Sequence, residues 1–304
     1  MAEIQVLIPH YHEPESLVKP LLDSLEVQQA ADFSVIICDD GGDRPLSREF
    51  LGRYTFPIEH YIEEHGGLAA TRNKLMDHAT AECIVFCDAD DMFFHAYGLR
   101  MVLDQRPFDF LISNFLEEVN VDGKGGFVER VQSPIYVHGK AYRLQFLRDQ
   151  NIRFFEELTV NEDSAFHMLC GFLAENRKEL RTPYYMWRCN MNSTVRSDPF
   201  YRFRSHPFLT LGGRLCVQEF EKRGMEDKAA ITACAHILNG YRQFKNEKWP
   251  PDLYEAAIKP YKEWIREVRH YWTDLDPEIK IEMLVQGENR GITAEEIDEF
   301  VEGA

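Results

Sequence analysis

Ile84-Val85-Phe86-Cys87-Asp88-Ala89-Asp90-Asp91-Met92-Phe93 is the stretch on which the reading of this chain turns. The run from Cys83 to Cys87 is short, continuous, apolar and partly β-branched, which predicts a buried strand. It ends in three carboxylates within four residues. Like charges so close repel one another, so a fold that gathers them needs a counter-charge. A hard divalent cation, which prefers oxygen ligands, is the simplest. In open α/β sheets ligands bind beyond the carboxyl ends of the strands, where these acids fall. The plain alternative is an acidic turn. Asp88-x-Asp90 alone recurs by chance, and its place after a buried strand is what favours a ligand.

Toward the N-terminus, Ile4 to Ile8 predicts a first strand that stops at Pro9. Glu13-Pro14-Glu15-Ser16 suits a helix start, and Leu17, Val18, Leu21, Leu22 and Leu25 form one apolar helical face. Ser34 to Cys38 predicts a second strand, closed by Asp39-Asp40-Gly41-Gly42-Asp43. Strand, helix, strand is the start of a parallel sheet. Pro57 to Ile62 suggests a third strand, His65-Gly66-Gly67 a tight turn, and Leu68 to Ala79 a helix with Arg72 near its start.

Beyond the carboxylates, strands are expected over Phe108 to Asn114, Phe127 to Val137 and Tyr184 to Cys189. Gly139 to Asp149 reads as helical, and Asn161-Glu162-Asp163 opens a helix with Phe166, Leu169 and Phe172 on its apolar face. Past residue 200 the pattern turns helical: Leu211 to Arg223, Ala229 to Phe244, and Leu253 to Trp272 with an interruption at Pro260. A helix starting at Asp276-Pro277 is expected to end at Gly287, and Thr293 to Glu296 is a capping box for the last one. The expected organisation is an α/β catalytic domain over 1–200 and a helical extension over 201–304, with an acceptor or oligomerisation role.

Composition narrows the function classes. A formal charge of −17 argues against indiscriminate binding to nucleic acid or anionic membrane. Seven cysteines without a CxxC pair, three of them in expected strands, point to a reduced, cytoplasmic protein with no structural zinc. The N-terminus enters a strand directly, and neither a signal peptide nor a bilayer-spanning run is visible. No GxxxxGK[ST], GxGxxG or GxSxG motif occurs.

The remaining candidates carry paired readings. Asp39 or Asp40 accepts from a base or a ribose, or makes an Asx turn before the glycines. Arg72, one turn into its helix, binds phosphate or a base edge, or is a surface arginine. Tyr11 stacks on a flat base or packs in the core. Glu162 and Asp163 cap their helix, or one of them removes a proton from an acceptor hydroxyl.

Taken together, Val6-Leu-Ile-Pro-His-Tyr11, Ile36-Ile-Cys-Asp-Asp-Gly41, Gly67-Leu-Ala-Ala-Thr-Arg-Asn73, Ile84 to Asp91 and Asn161-Glu-Asp163 resemble a family 2 glycosyltransferase of GT-A fold. Tyr185-Met-Trp-Arg-Cys-Asn190 with Ser193 resembles the family's late segment, and coverage is roughly residues 4 to 197. The resemblance implies a Rossmann-like, mostly parallel mixed sheet flanked by helices, with a C-terminal helical region. It implies a nucleotide-sugar donor, usually UDP-linked, Mn²⁺ or Mg²⁺, and inverting transfer to an acceptor hydroxyl. By motif match Asp39 holds the uracil, Tyr11 stacks near it, Arg72 lies by the base or diphosphate, and Pro9 and Glu13 line the donor site. Asp88 and Asp90 hold ribose and metal, with Asp90 the direct ligand, and Asp163 is the general base. Arg188 and Ser193 contact the diphosphate, and Gly67, Asp91 and Glu162 face the substrate. His12 stands where the family commonly has Asn, and Gly42 where it has Ser.

The expected acceptor is a glycan or glycolipid. The N-terminal half also reads close to phage-type members, which raises hydroxymethylated bases of DNA as an alternative. Arg196, Arg202 and Arg204, interleaved with Phe200, Tyr201 and Phe203, would serve it, against a plain linker reading. A nucleotidyltransferase would need a glycine- and basic-rich loop where Pro9-His10-Tyr11-His12-Glu13 stands. A non-catalytic sugar-nucleotide-binding protein would not need Asp163.

Overall fold

The computed structural model describes residues 2–121, 124–133, 135–286 and 291–304. The strands are β1 (Ile4–His10), β2 (Phe33–Asp40), β3 (Ile58–Glu63), β4 (Cys83–Phe86), β5 (Met92–Phe93), β6 (Phe110–Ser113), β7 (Phe115–Val121), β8 (Lys124–Arg130), β9 (Lys140–Arg143), β10 (Arg177–Leu180) and β11 (Tyr185–Trp187). The helices of the first part are α1 (Glu15–Glu26), α2 (Arg48–Leu51), α3 (Leu68–His78), α4 (Gly98–Leu103), α5 (Leu144–Asp149) and α6 (Glu162–Leu173). Those that follow are α7 (Thr194–Ser197), α8 (Tyr201–Arg204), α9 (His206–Lys222), α10 (Glu226–Asn246), α11 (Pro251–Thr273), α12 (Pro277–Gln286) and α13 (Ala294–Glu302). The chain divides into two compact units, Met1–Met191 and Asn192–Ala304.

In the first unit a seven-stranded sheet runs β10-β6-β9-β4-β1-β2-β3. All its pairings are parallel except those of β9, which is antiparallel to both β4 and β6. β1 and β4 are buried along their whole length, as continuous apolar runs between helical layers must be. Because β4, β1 and β2 are parallel neighbours, His10, Asp39-Asp40 and Asp88 to Asp91 all emerge at one end of the sheet. A smaller sheet, β5-β11-β7-β8, is built from the segments that follow the carboxylates.

Several sequence expectations change. Gly139 to Asp149 is not one helix: Lys140–Arg143 forms β9, and α5 begins only at Leu144. The slot between β4 and β6 captures those four residues, and ladder pairing outweighs their helical spacing. The strand expected over Phe127 to Val137 is β8, which ends at Arg130 and pairs with β7 as an exposed ribbon. β7 and β10 carry no clear sequence signal. Pro260 does not interrupt α11. The carbonyl it leaves unpaired belongs to Ala256, which is exposed and open to water. The expected stop at Gly287 lies outside the described residues.

The second unit is helical. α9, α10 and α11 pack around Trp264, Tyr261 and Trp272, all buried. Thr293 and Glu296 form the capping box of α13. None of the seven cysteines is in a disulfide. Among the described residues, no helix is long and apolar enough to cross a membrane.

Candidate active site

The loop after β4 sets the site. Asp91 is 1% exposed and serves as its internal tie. Its carboxylate accepts from the Tyr185 hydroxyl at 2.5 Å and from the Arg188 backbone N–H at 2.9 Å, which pins β11 to the loop. Burial and the charges of Asp90 and Asp88 push its carboxyl well above the usual range.

Asp88 is paired with Arg72, whose NH2 group donates to it at 2.7 Å. Arg72 also donates to Glu162 at 2.5 Å and lies over the Phe154 ring. So α3, the β4 loop and α6 converge on one buried guanidinium, itself 1% exposed. Burial alone would lower Arg72, but Asp88, Glu162 and Asp163 outweigh it and hold it charged. Burial would likewise raise Asp88, yet Arg72 and His138 hold its carboxyl far below the usual range. Arg72 thus bridges two carboxylates. Glu162, 5% exposed, is one of its partners.

Asp90 is half-buried and accepts from Asn190 Nδ2 at 2.8 Å. Burial raises its carboxyl, and the charge of Asp88 adds to this. Glu13, also raised by burial, is held by the Tyr11 N–H at 2.7 Å and feels the charge of Asp90. Glu13 and Asp90 repel each other, as do Asp90 and Asp88. Among the described residues, Asp88, Asp91 and His138 bring one donor atom each within 4.8 Å of one another, two carboxylate oxygens and an imidazole nitrogen that fit a divalent cation.

Asp39 is tied to two histidines. Each of its oxygens accepts from a histidine, His10 Nδ1 and His60 Nε2, and it is 2% exposed. Burial opposes its ionisation, but the two histidines outweigh burial and lower its carboxyl. It braces β1 and β3. His10 Nε2 in turn reaches the Glu13 carbonyl at 2.8 Å. Asp40 accepts from the Gly66 and Gly67 N–H groups at 2.7 and 2.9 Å, which orients the start of α3. Gly67, at φ +84°, has open space where a side chain would be. Pro9 is a buried residue of β1 opposite Cys38. Tyr11 is 46% exposed and its ring stacks on His12 and His65, with centroids 4.2 and 4.8 Å away. That is a flat aromatic shelf at the sheet end.

Asp163 lies in the first turn of α6, which starts from Asn161 in a left-handed conformation. Its Oδ2 accepts from the Val137 N–H at 3.2 Å and its Oδ1 from the Ser164 N–H at 2.8 Å. Burial, reinforced by Glu162, pushes its carboxyl up to about 7. A half-buried carboxylate poised near neutrality suits proton abstraction. Arg188 donates from its guanidinium to the Leu17 and Asp90 carbonyls at 3.2 and 3.1 Å. Ser193 belongs to the second unit, where it caps α7. In that unit Arg202 pairs with Glu247 and Arg204 with Asp198.

Sequence reasoning missed His138 and Lys140. His138 is buried among Tyr136, Tyr185 and Trp187, with Nε2 3.5 Å from Asp88 and 3.4 Å from Asp91. Lys140, in β9, is 1% exposed. No local motif marks either. The one available signal was a lysine at an inward position of an apolar segment.

The model of the family described as glycosyl transferase family 2 matches residues 5–180. EpsH of Bacillus subtilis, described as a putative glycosyltransferase, is 26% identical over 64% of this chain and 62% of its own length. The poly(ribitol-phosphate) beta-N-acetylglucosaminyltransferase TarS of Staphylococcus aureus is 26% identical over 58% of this chain and 34% of its own. The chain thus spans about three-fifths or less of these relatives. The crystal structure of S. aureus TarS 1–349 with UDP-GlcNAc superposes with a TM-score of 0.71 at 20% identity, covering 98% of this chain and 89% of that one. The fold is therefore the GT-A arrangement with a C-terminal helical region.

Proposed function

The chain belongs to glycosyl transferase family 2, and from that premise we propose that it transfers a sugar, with inversion, from a UDP-sugar to an acceptor hydroxyl of a glycan or glycolipid. The observation that carries the proposal is Asp163: a carboxyl held near 7 at the mouth of α6, linked through Glu162 and Arg72 to the Asp88 loop.

Asp163 accepts the proton of the acceptor hydroxyl as its oxygen bonds to the anomeric carbon and the bond to the diphosphate breaks. Arg72 keeps Asp88 ionised and α6 in place, and Tyr11 offers its ring to the base. Asp90 and Asp88 would hold Mn²⁺ or Mg²⁺, which would supply charge stabilisation for the departing diphosphate. The UDP-GlcNAc complex of TarS makes that donor the first to test.

Because the base acts ionised, activity rises with pH through about 7. Asp163→Asn should lower kcat by about 10² to 10⁴-fold and abolish that limb, while UDP-sugar binding persists. A folded Asp163→Asn chain with the wild-type rate of donor turnover would refute the assignment.

A further inference from the structure

Lys140 is, among the described residues, a buried cation near the site that the proposed chemistry does not use. Its Nζ donates to the carbonyl of Tyr136 and, at 3.4 Å, to that of His138. It therefore folds the 136–140 turn back on its own base. The two residues this turn presents both face the site. The Val137 N–H donates to Asp163, and His138 Nε2 approaches Asp88 and Asp91. The turn's geometry depends on Gly139, at φ +67°, where a Cβ would stand 2.8 Å from Ser113 Oγ.

We propose that Lys140 is a positioning residue for Asp163: by clasping the 136–140 turn it fixes the Val137 N–H on the carboxylate. This role rests on Asp163 being the base. Lysine is costly to bury, and burial pulls its ammonium down to about 7, with Asp163 opposing the fall. The groups acting on Asp163 are Glu162 on its own helix, Arg72 from α3 and Lys140 from β9, with Tyr136 and Tyr142 nearby. Arg72 is already shared by Asp88 and Glu162, so Lys140 is the cation not divided among other carboxylates. A hydrophobic residue of similar length would fill this space more cheaply, and a lysine here needs a reason of this kind.

The test compares wild type, Lys140→Met and Asp163→Asn in the full chain. The Asp163 carboxyl is titrated by ¹³C NMR, assigned by its loss in Asp163→Asn, and UDP-GlcNAc hydrolysis with Mn²⁺ is followed against pH. Losing the Val137 N–H from the carboxylate favours the protonated acid. The titration and the acid limb of the rate should both move up by about 1 pH unit in Lys140→Met. Loosening of the turn should lower kcat about 10-fold or more, with the donor KM little changed. If Lys140→Met does not fold, Lys140→Gln carries the same titration. An unmoved carboxyl in a folded variant, with Asp163→Asn inactive, overturns the role of Lys140 alone. Wild-type turnover in Asp163→Asn removes the base and the proposal together.

Discussion

At the scale of single residues, the site is organised by which charges share a partner. Arg72 is shared by two carboxylates and sealed from water, so its worth lies in what its loss exposes. Arg72→Met should destabilise the chain by about 3–5 kcal/mol in urea unfolding, because Asp88 and Glu162 would be left buried without compensation. Asp163 works in the opposite sense. Its folded carboxyl titrates near 7 and its unfolded one near the ordinary ~3.9, so the folded state binds the extra proton. Its ionisation therefore costs stability progressively as pH rises from about 4 to 7. Asp163→Asn should gain melting temperature over wild type at pH 8 and little at pH 4, in a scan at both values. A variant that loses stability equally at both would mean the carboxylate is a structural tie.

At the scale of elements, tight geometry falls where backbone meets backbone or a locked side chain. In the helical unit Gly240 of α10 lies against Tyr261 of α11. A Cβ there would stand 2.3 Å from the Tyr261 ring, and that ring is held by hydrogen bonds from its hydroxyl to the Ile237 and His236 carbonyls at 2.6 and 3.1 Å. Gly240→Ala should cost about 1–3 kcal/mol by thermal or urea unfolding despite alanine's better helix propensity. A neutral result would show that the α10–α11 pair can slide apart freely. β9 makes the complementary point. Helical spacing of its residues loses to the slot between two strands, and Lys140 is carried into the core as a consequence.

For the whole molecule, a net charge of −17 sets how it meets its ligands. A nucleotide diphosphate approaching Glu13, Asp88 and Asp90 meets like charge, so its binding should be coupled to a divalent cation. UDP-GlcNAc with Mn²⁺ at about 100 times the dissociation constant should stabilise the fold by about 2.7 kcal/mol, seen as a rise in melting temperature. Donor or Mn²⁺ alone should give much less, and Asp90→Ala should lose the joint effect. An equal rise with donor alone would argue that the acids do not hold a cation. In the helical unit Arg202 pairs with Glu247 and Arg204 with Asp198, which offsets two of its cations.

Sequence alone determined the β/α alternation, the parallel start of the sheet, the family, and the gathering of acids at strand ends. These depend on local periodicity and on short motifs whose meaning is fixed by the strand they follow. It also singled out Asp163 as one of two adjacent acids. What the tertiary structure decided is how those acids divide their labour. Asp39 and Asp91 have the same chemistry as Asp90, and only their contacts with His10, His60, Tyr185 and the Arg188 N–H make them internal ties. Arg72 finds Glu162 ninety residues away, and Lys140 reaches the Tyr136 and His138 carbonyls from a strand that local spacing read as helix. Burial and long-range pairing, not residue type, set whether a charge is exposed to ligand or spent within the fold, and neither is encoded in neighbouring sequence.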